Sequence, residues 1–262
     1  MEKGLTLAEP RRPFGQELSI RLATGLAAAP RGPFADYAES AADALVRWND
    51  SGTVDPSVAE PRNAGGGWVP STPATTSAEA VRTLFETRRS VRNFAEGQTV
   101  PLEAVREAVR LASNTPSVCN RQAWRVHFFD KPDDVAAILR LQNGNSGFAY
   151  VPSVSIVTVD LRLFSGAYER NQRWVDGGLF AMSYVWALHA EGLASCMLNW
   201  SMNNSASKKL RSVAGLEPWE DVISLVAIGQ YPEHYRVARS PRRPVSEILE
   251  ATGVRDTHRT QV

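Results

Sequence analysis

Apolar and polar positions follow no steady period over the first 35 residues, which are rich in Pro, Gly, Ala and Arg. Residues 36–48, DYAESAADALVRW, carry a spacing that predicts one short helix. The run DPSVAEPRNAGGGWVPSTPATTS at 55–77 is dense in Pro, Gly, Ser and Thr, and reads as a linker or extended arm. Regular patterning begins near Thr76. Thr76, Ser77, Ala78 and Glu79 fit a capping box, and Val81, Leu84, Phe85 and Arg88 follow at helical spacing. A second helix is predicted from about Pro101, with Val105, Ala108, Val109 and Ala112 as its stripe, ending before Pro116.

Strand patterns follow. RVHFFD at 125–130 reads as a strand, residues 132–142 as a helix, and the β-branched run VSIVTVD at 154–160 as a buried strand. The longest helical pattern covers 171–190. Val175, Leu179, Met182 and Trp186 form one face, while Phe180, Tyr184, Ala187 and Leu188 fill much of the rest. A helix apolar on nearly all sides needs burial on several of them, and a subunit interface would supply it. Gly192 closes this helix. A strand LASCML, a helix near 204–213 and a strand VISLVAIG at 222–229 complete the series. Strict βαβ alternation is missing, so the fold class predicted is α+β, with a central mixed or antiparallel sheet flanked by helices. The chain divides at this level into an N-terminal extension, 1–75, and a compact domain, 76–262.

Composition narrows the function. A net charge of +1 disfavours a general nucleic-acid or membrane-surface binder. Two cysteines, Cys119 and Cys196, make neither a disulfide framework nor a metal cluster, and the four histidines lack metal spacing. A cytoplasmic location without membrane insertion is expected. Arg11 and Arg12 faintly resemble an export signal, but Glu17 and Arg21 interrupt the segment that would have to be apolar. No Gly-rich dinucleotide loop in strand–turn–helix context, nucleophile elbow, zinc pair or phosphate loop is present. Gly65, Gly66 and Gly67 fall in the linker.

Two polar runs stand out. TRRSVRNF at 87–94 gathers Arg88, Arg89, Ser90 and Arg92 behind a helix. Cations there offset a helix C-terminal dipole, which accounts for one arginine or two. Guanidinium forks with a serine hydroxyl also suit a phosphate, and the two readings weigh about equally. A second basic cluster, Arg239 to Arg243, follows the turn at Gly229–Pro232. The run NTPSVCNRQAW at 114–124 offers Asn114, Ser117, Asn120 and Gln122, groups suited to a polyol or heterocycle, or simply to satisfying a loop's own backbone.

Together these blocks resemble the FMN-dependent nitroreductase family over roughly residues 79–250. The blocks are Arg88 to Arg92, Pro116 to Trp124, Asp176-Gly177-Gly178 leading to Gly192-Leu193, and Gly229 to Pro232 with the arginines after it. Ala123 stands where the family often has proline. The resemblance implies that Arg88, Arg89 and Ser90 bind the FMN phosphate, with Arg242 and Arg239 closing on it. It implies that Arg92 lies near the ribityl chain or the N1/O2 edge of the ring, where a cation favours negative charge on reduction. Pro116, Ser117 and Asn120 would border the ring or ribityl group, and backbone amides at Asn199 and Trp200 would reach N5. It implies an intertwined homodimer with FMN sites at the interface. The implied chemistry is hydride transfer from NAD(P)H through FMN to a small acceptor, nitroaromatic or quinone-like, with no catalytic side chain required. Two alternatives stay open: a flavin-dependent dehydrogenase or oxidase of a dedicated biosynthetic metabolite, and a non-catalytic FMN-binding or storage protein.

Overall fold

The structure is a computed structural model that describes residues 5–6, 11–53, 77–148 and 150–250. The chain divides into two compact units, Met1–Thr76 and Ser77–Val262. The linker expected at 55–77, with its three glycines, lies outside the described residues except for Ser77.

The first unit holds helices α1 (Gln16–Ala28) and α2 (Pro33–Ser51). The sequence reading left residues 1–35 without regular structure and gave α2 only its middle. The helices are nonetheless well delimited. Pro33 opens α2, where its fixed φ suits the first turn, and Gly52 closes it with φ of 74° while its N–H bonds the Trp48 carbonyl. Asn49 exchanges two hydrogen bonds of 3.0 Å with the backbone of Phe14 just before α1. Leu45 is buried at the same end.

The second unit is built on a four-stranded sheet in the order β1-β2-β4-β3, antiparallel throughout. Its strands are β1 (Trp124–Phe129), β2 (Ser153–Asp160), β3 (Ala194–Asn199) and β4 (Glu220–Gly229). Around them run α3 (Ala78–Thr87), α4 (Leu102–Ala112), α5 (Pro132–Leu139), α6 (Gln172–Ala190) and α7 (Asn204–Ala214). The α+β class follows directly from this arrangement. Alternation of side chains along the strands supplies two cores. Val154, Ile156, Cys196, Leu198, Leu225 and Ala227 face a core shared with Val135, Ile138 and Leu210 of α5 and α7. Val157, Val226 and Ile228 face a core shared with α4 and with Phe180, Tyr184 and Leu188 of α6.

Helix α6 lies very close to the sheet. A Cβ built on Gly177 would fall 2.5 Å from Ile223 Cγ1, so any larger residue there would push the Ile223 side chain aside. The Trp124 and Phe180 rings stack at 4.8 Å, and the Tyr184 hydroxyl sits 2.9 Å from Ser155 Oγ. The opposite side of α6 is open within this chain. Trp174 is 44% exposed, Val175 50%, Leu179 39% and Met182 50%.

The α3 cap sits one residue later than the capping box predicts. Ser77 is the N-cap, and its Oγ accepts from Ala80 N at 3.3 Å. Ala80 occupies the position from which a glutamate would answer, so the cap is one-sided.

Candidate functional site

Residues 88–92 leave α3 in extended conformation and run beside β3. Val91 N donates to Ser195 O at 2.9 Å, and Ser90 pairs in parallel with Ser195. Arg88, Arg89, Ser90 and Arg92 are thereby pinned to the outer edge of the sheet. Phe94 then covers Gly229, where a Cβ would come within 2.7 Å of its ring.

Several groups converge on this edge. Arg88 lies over the Trp186 ring, 5.5 Å from its centroid, and Phe85 packs on the other part of that ring at 4.1 Å. Burial, then the charges of Arg89 and Arg242, hold the Arg88 guanidinium below the ordinary arginine value. Arg242, more than 150 residues away in sequence, is thus within electrostatic reach of Arg88. Burial raises the Cys196 thiol, while Arg92, Ser90 and Arg88 pull it down. Among the described residues, no carboxylate pairs with Arg88, Arg89, Arg92, Arg239 or Arg242. Several arginines elsewhere in the unit do have carboxylate partners, among them Arg121 with Glu169 at 2.7 Å and Arg173 with Asp221 at 3.1 Å. Arg89 donates to Arg88 O and Arg242 to Ser240 O, which leaves most of their guanidinium donors open. Arg239 is exposed in the same C-terminal segment, and among the described residues no hydrogen bond or ion pair joins it to the cluster.

One residue that sequence reasoning passed over belongs here. His189, at the end of α6, places Nε2 2.8 Å from Thr87 Oγ1 and Nδ1 3.0 Å from the Tyr231 hydroxyl. Burial, then Arg88 and Arg89, lower its pKa from the usual histidine value. No local pattern joins Thr87, His189 and Tyr231, because three separate elements carry them.

The second polar run forms a separate neighbourhood. Cys119, Asn120 and Gln122 have φ of 51°, 53° and 48°, left-handed values that cost non-glycine residues about 1 kcal/mol or more each. The surroundings hold them there. Ser117 Oγ accepts from Gln122 N at 3.0 Å, and the carboxylate of Asp176, 1% exposed on α6, accepts from Val118 N at 3.2 Å. Arg121 bonds Glu169, whose carboxyl is brought down to about 2, first by that bond and then by the Ser165 amide and hydroxyl. The Asn120 side-chain amide is exposed and makes no hydrogen bond among the described residues, and Pro116 is exposed beside it.

The third group lies at the far end of β3. Asn199 is four residues beyond Ser195, about 13 Å along the strand. Its Oδ1 accepts from Ser201 N at 3.4 Å, and its carbonyl accepts from Gln142 Nε2 at 2.9 Å. The Trp200 ring packs on the core and donates Nε1–H to Ser207 Oγ at 3.0 Å.

Within one chain, α6 separates the first two groups. Asp176 holds the strained loop, Trp186 lies under Arg88, and His189 bonds Thr87 just before it. The ten residues from Asp176 to Trp186 correspond to about 15 Å of helix.

An α+β unit with an antiparallel sheet, a long helix against it and an arginine-edged strand defines the nitroreductase-like fold. Residues 85–143 match the model of the Nitroreductase family, a span that contains both polar runs. The solved structure of the nitroreductase YdfN from Bacillus subtilis is similar, with 18% identity, a TM-score of 0.60 and coverage of 67% of this chain and all of that one. An FMN-dependent nitroreductase from Clostridium difficile aligns over 66% of this chain and 99% of its own, with 16% identity and a TM-score of 0.56. A nitroreductase from Desulfovibrio desulfuricans, solved in complex with FMN, aligns over 68% and 99%, with 21% identity and a TM-score of 0.56. No curated protein matches the chain in sequence. Among the described residues, no helix is long and apolar enough to cross a membrane, and no cluster of His, Cys, Asp and Glu could hold a metal.

Proposed function

We propose that the protein is an FMN-dependent oxidoreductase that takes hydride from NADH or NADPH and passes it to a small organic acceptor of the nitroaromatic or quinone class. The observation that carries this reading is the cluster of arginines at the β3 edge with no carboxylate partner among the described residues. Uncompensated guanidinium groups, those of Arg88 and Arg89 partly buried, favour a bound dianion, and a phosphate monoester matches their forked donors.

The donor set fits FMN. Arg88, Arg89, Ser90 and Arg242 would hold the phosphate, and Arg92 would follow the ribityl chain. The stretch from Ser195 to Asn199 spans the kind of distance that separates a flavin's phosphate from its ring. Pro116, Ser117 and Asn120 would border the ring, where the free amide of Asn120 and the left-handed backbone present polar groups outward. The backbone at Asn199 and Trp200 would face N5. Bound there, FMN supplies hydride chemistry between nicotinamide and acceptor. The chain's own part is to bind, orient and set charge: the arginines fix the phosphate, and Arg92 favours negative charge near the ring. No nucleophile or general base is needed, which agrees with the chemistry of the residues present.

The reading includes a homodimer. In one chain the strained loop and the arginines sit about 15 Å apart along α6, while the apolar stripe of α6 faces outward. Pairing two copies through that stripe brings the loop of one toward the arginines of the other. In this reading residues 76–262 are the flavin domain and residues 1–75 an appended extension, in the cytoplasm.

The test is the visible spectrum of the purified full-length protein, before and after anaerobic NADPH or NADH. Flavin bands that bleach are the expected result. Bands that persist would remove nicotinamide as donor and move the reading to a metabolite dehydrogenase or a flavin-holding protein. No flavin, even after FMN is added, would overturn the cofactor itself.

A further inference from the structure

The hydrogen bonds around His189 are all satisfied with its proton on Nε2. The Thr87 hydroxyl has one hydrogen, and it donates to Thr83 O at 2.7 Å. Thr87 Oγ1 therefore accepts from His189, and Nε2 carries the hydrogen. In the neutral ring Nδ1 is then an acceptor, and the Tyr231 hydroxyl donates to it. The imidazole thus joins two arms of the arginine cluster. Thr87 immediately precedes Arg88, and Tyr231 begins the segment that leads to Arg239 and Arg242.

We propose that His189 is the positioning residue of this anion site, setting the spacing of its two arms while neutral and taking a proton from solvent when a phosphate monoester binds. The proposal rests on the phosphate reading given above. Protonation makes Nδ1 a donor, so the Tyr231 hydroxyl must turn and accept, which frees its own hydrogen for another partner. In the ligand-free site, Arg88 and Arg89 oppose a third positive charge on the ring. The other facing groups leave that balance in place. Glu79 lines the open cavity beside His189, Tyr235 stacks behind Tyr231 at 5.3 Å, and Arg242 stands by Arg88. A bound dianion offsets the arginine charges and lets the ring keep a proton. The sign follows for the ring: His189 takes up a proton on binding, and its contribution grows as pH falls toward the usual histidine range, against the proton that the monoester itself, with a second pKa of about 6, gives up to bind as a dianion.

The experiment is calorimetric titration of the flavin-stripped full-length protein with FMN and with riboflavin near pH 6.5, in two buffers of different ionisation enthalpy. The wild type should bind FMN more tightly than riboflavin. Replacing the ring in His189→Gln should weaken FMN about tenfold, the loss of one net hydrogen bond's worth of positioning, and leave riboflavin unchanged. The wild type should also take up more protons with FMN than H189Q does, a difference that a purely structural role would not produce. Tyr231→Phe keeps the ring and breaks the link, and should weaken FMN alone in the same direction. If both variants keep wild-type FMN affinity, or H189Q matches the wild type in proton uptake, the role of His189 is refuted while the phosphate reading stands. If the wild type binds FMN and riboflavin equally well, the phosphate site itself is wrong.

Discussion

Arg88 carries more of the candidate site than any other side chain. It is half-buried, lies over Trp186, and is held below its ordinary pKa by burial and by Arg89 and Arg242. Truncation in Arg88→Ala removes a charge-assisted contact, and should weaken FMN binding by about 1.5–3 kcal/mol, roughly ten- to a hundredfold. A fluorescence titration reads this directly, and full flavin affinity in R88A would exclude Arg88 from the phosphate site. The arginines were legible in the sequence because Arg88, Arg89, Ser90 and Arg92 are contiguous and dense in donors. A second basic cluster at Arg239–Arg243, placed beside the core by the turn before it, was legible as another hold on a phosphate, and the part of Arg242 within it through family resemblance. The link between His189 and Tyr231 was not legible, since hydrogen bonds between residues 42 positions apart leave no local pattern. The left-handed backbone at Cys119 and Gln122 was equally hidden, because neither residue type advertises positive φ as glycine does.

Strands and long helices followed from hydrophobic period, and their ends did not. The strand read as 222–229 begins at Glu220, a charged residue that pattern alone assigns to a loop. Glu220 is buried because partners converge on it. His127 Nε2 lies at 2.8 Å, Thr158 Oγ1 donates at 2.9 Å, and Glu217 N donates at 2.9 Å. Burial acts to raise its carboxyl, and the hydrogen bonds outweigh it, so the folded pKa is lowered. A lowered carboxyl contributes stability above its unfolded value, near 4.3, and that stability is lost as pH falls through the folded value. Chemical denaturation of Glu220→Gln should therefore show a deficit against the wild type at pH 6 that narrows below pH 4. A deficit constant across that range would mean that the charge is not what Glu220 contributes. Helix α1 escaped prediction for a different reason. Leu18, Leu22 and Leu26 share one face at four-residue spacing, but Ile20 lies across from them, no side-chain cap marks the start, and none of its residues is buried.

At the scale of the molecule, the exposed stripe on α6 is the feature on which the proposed shared site depends. Trp174, Val175, Leu179 and Met182 leave a contiguous apolar strip open to water on the same helix whose other face forms the centre of a core. Covering such a strip releases about 25 cal/mol for each Å² of apolar surface removed from water, a strong drive toward pairing. The C-terminal segment adds to it, with Val245, Ile248 and Leu249 all exposed. Sequence pattern made α6 legible as apolar on nearly every side, but not which side its own chain would leave bare. The substitution Leu179→Arg places a charge in the middle of that strip without touching the core. Sedimentation of the wild type should give twice the chain mass, and L179R should give a folded monomer with unchanged circular dichroism. FMN affinity should fall together with dimerisation, because the loop at 116–122 and the arginines at 88–92 would then no longer meet across two copies. A monomeric L179R that binds FMN as tightly as the wild type would place the whole site within one chain. A wild type that sediments as a monomer would remove the shared site altogether.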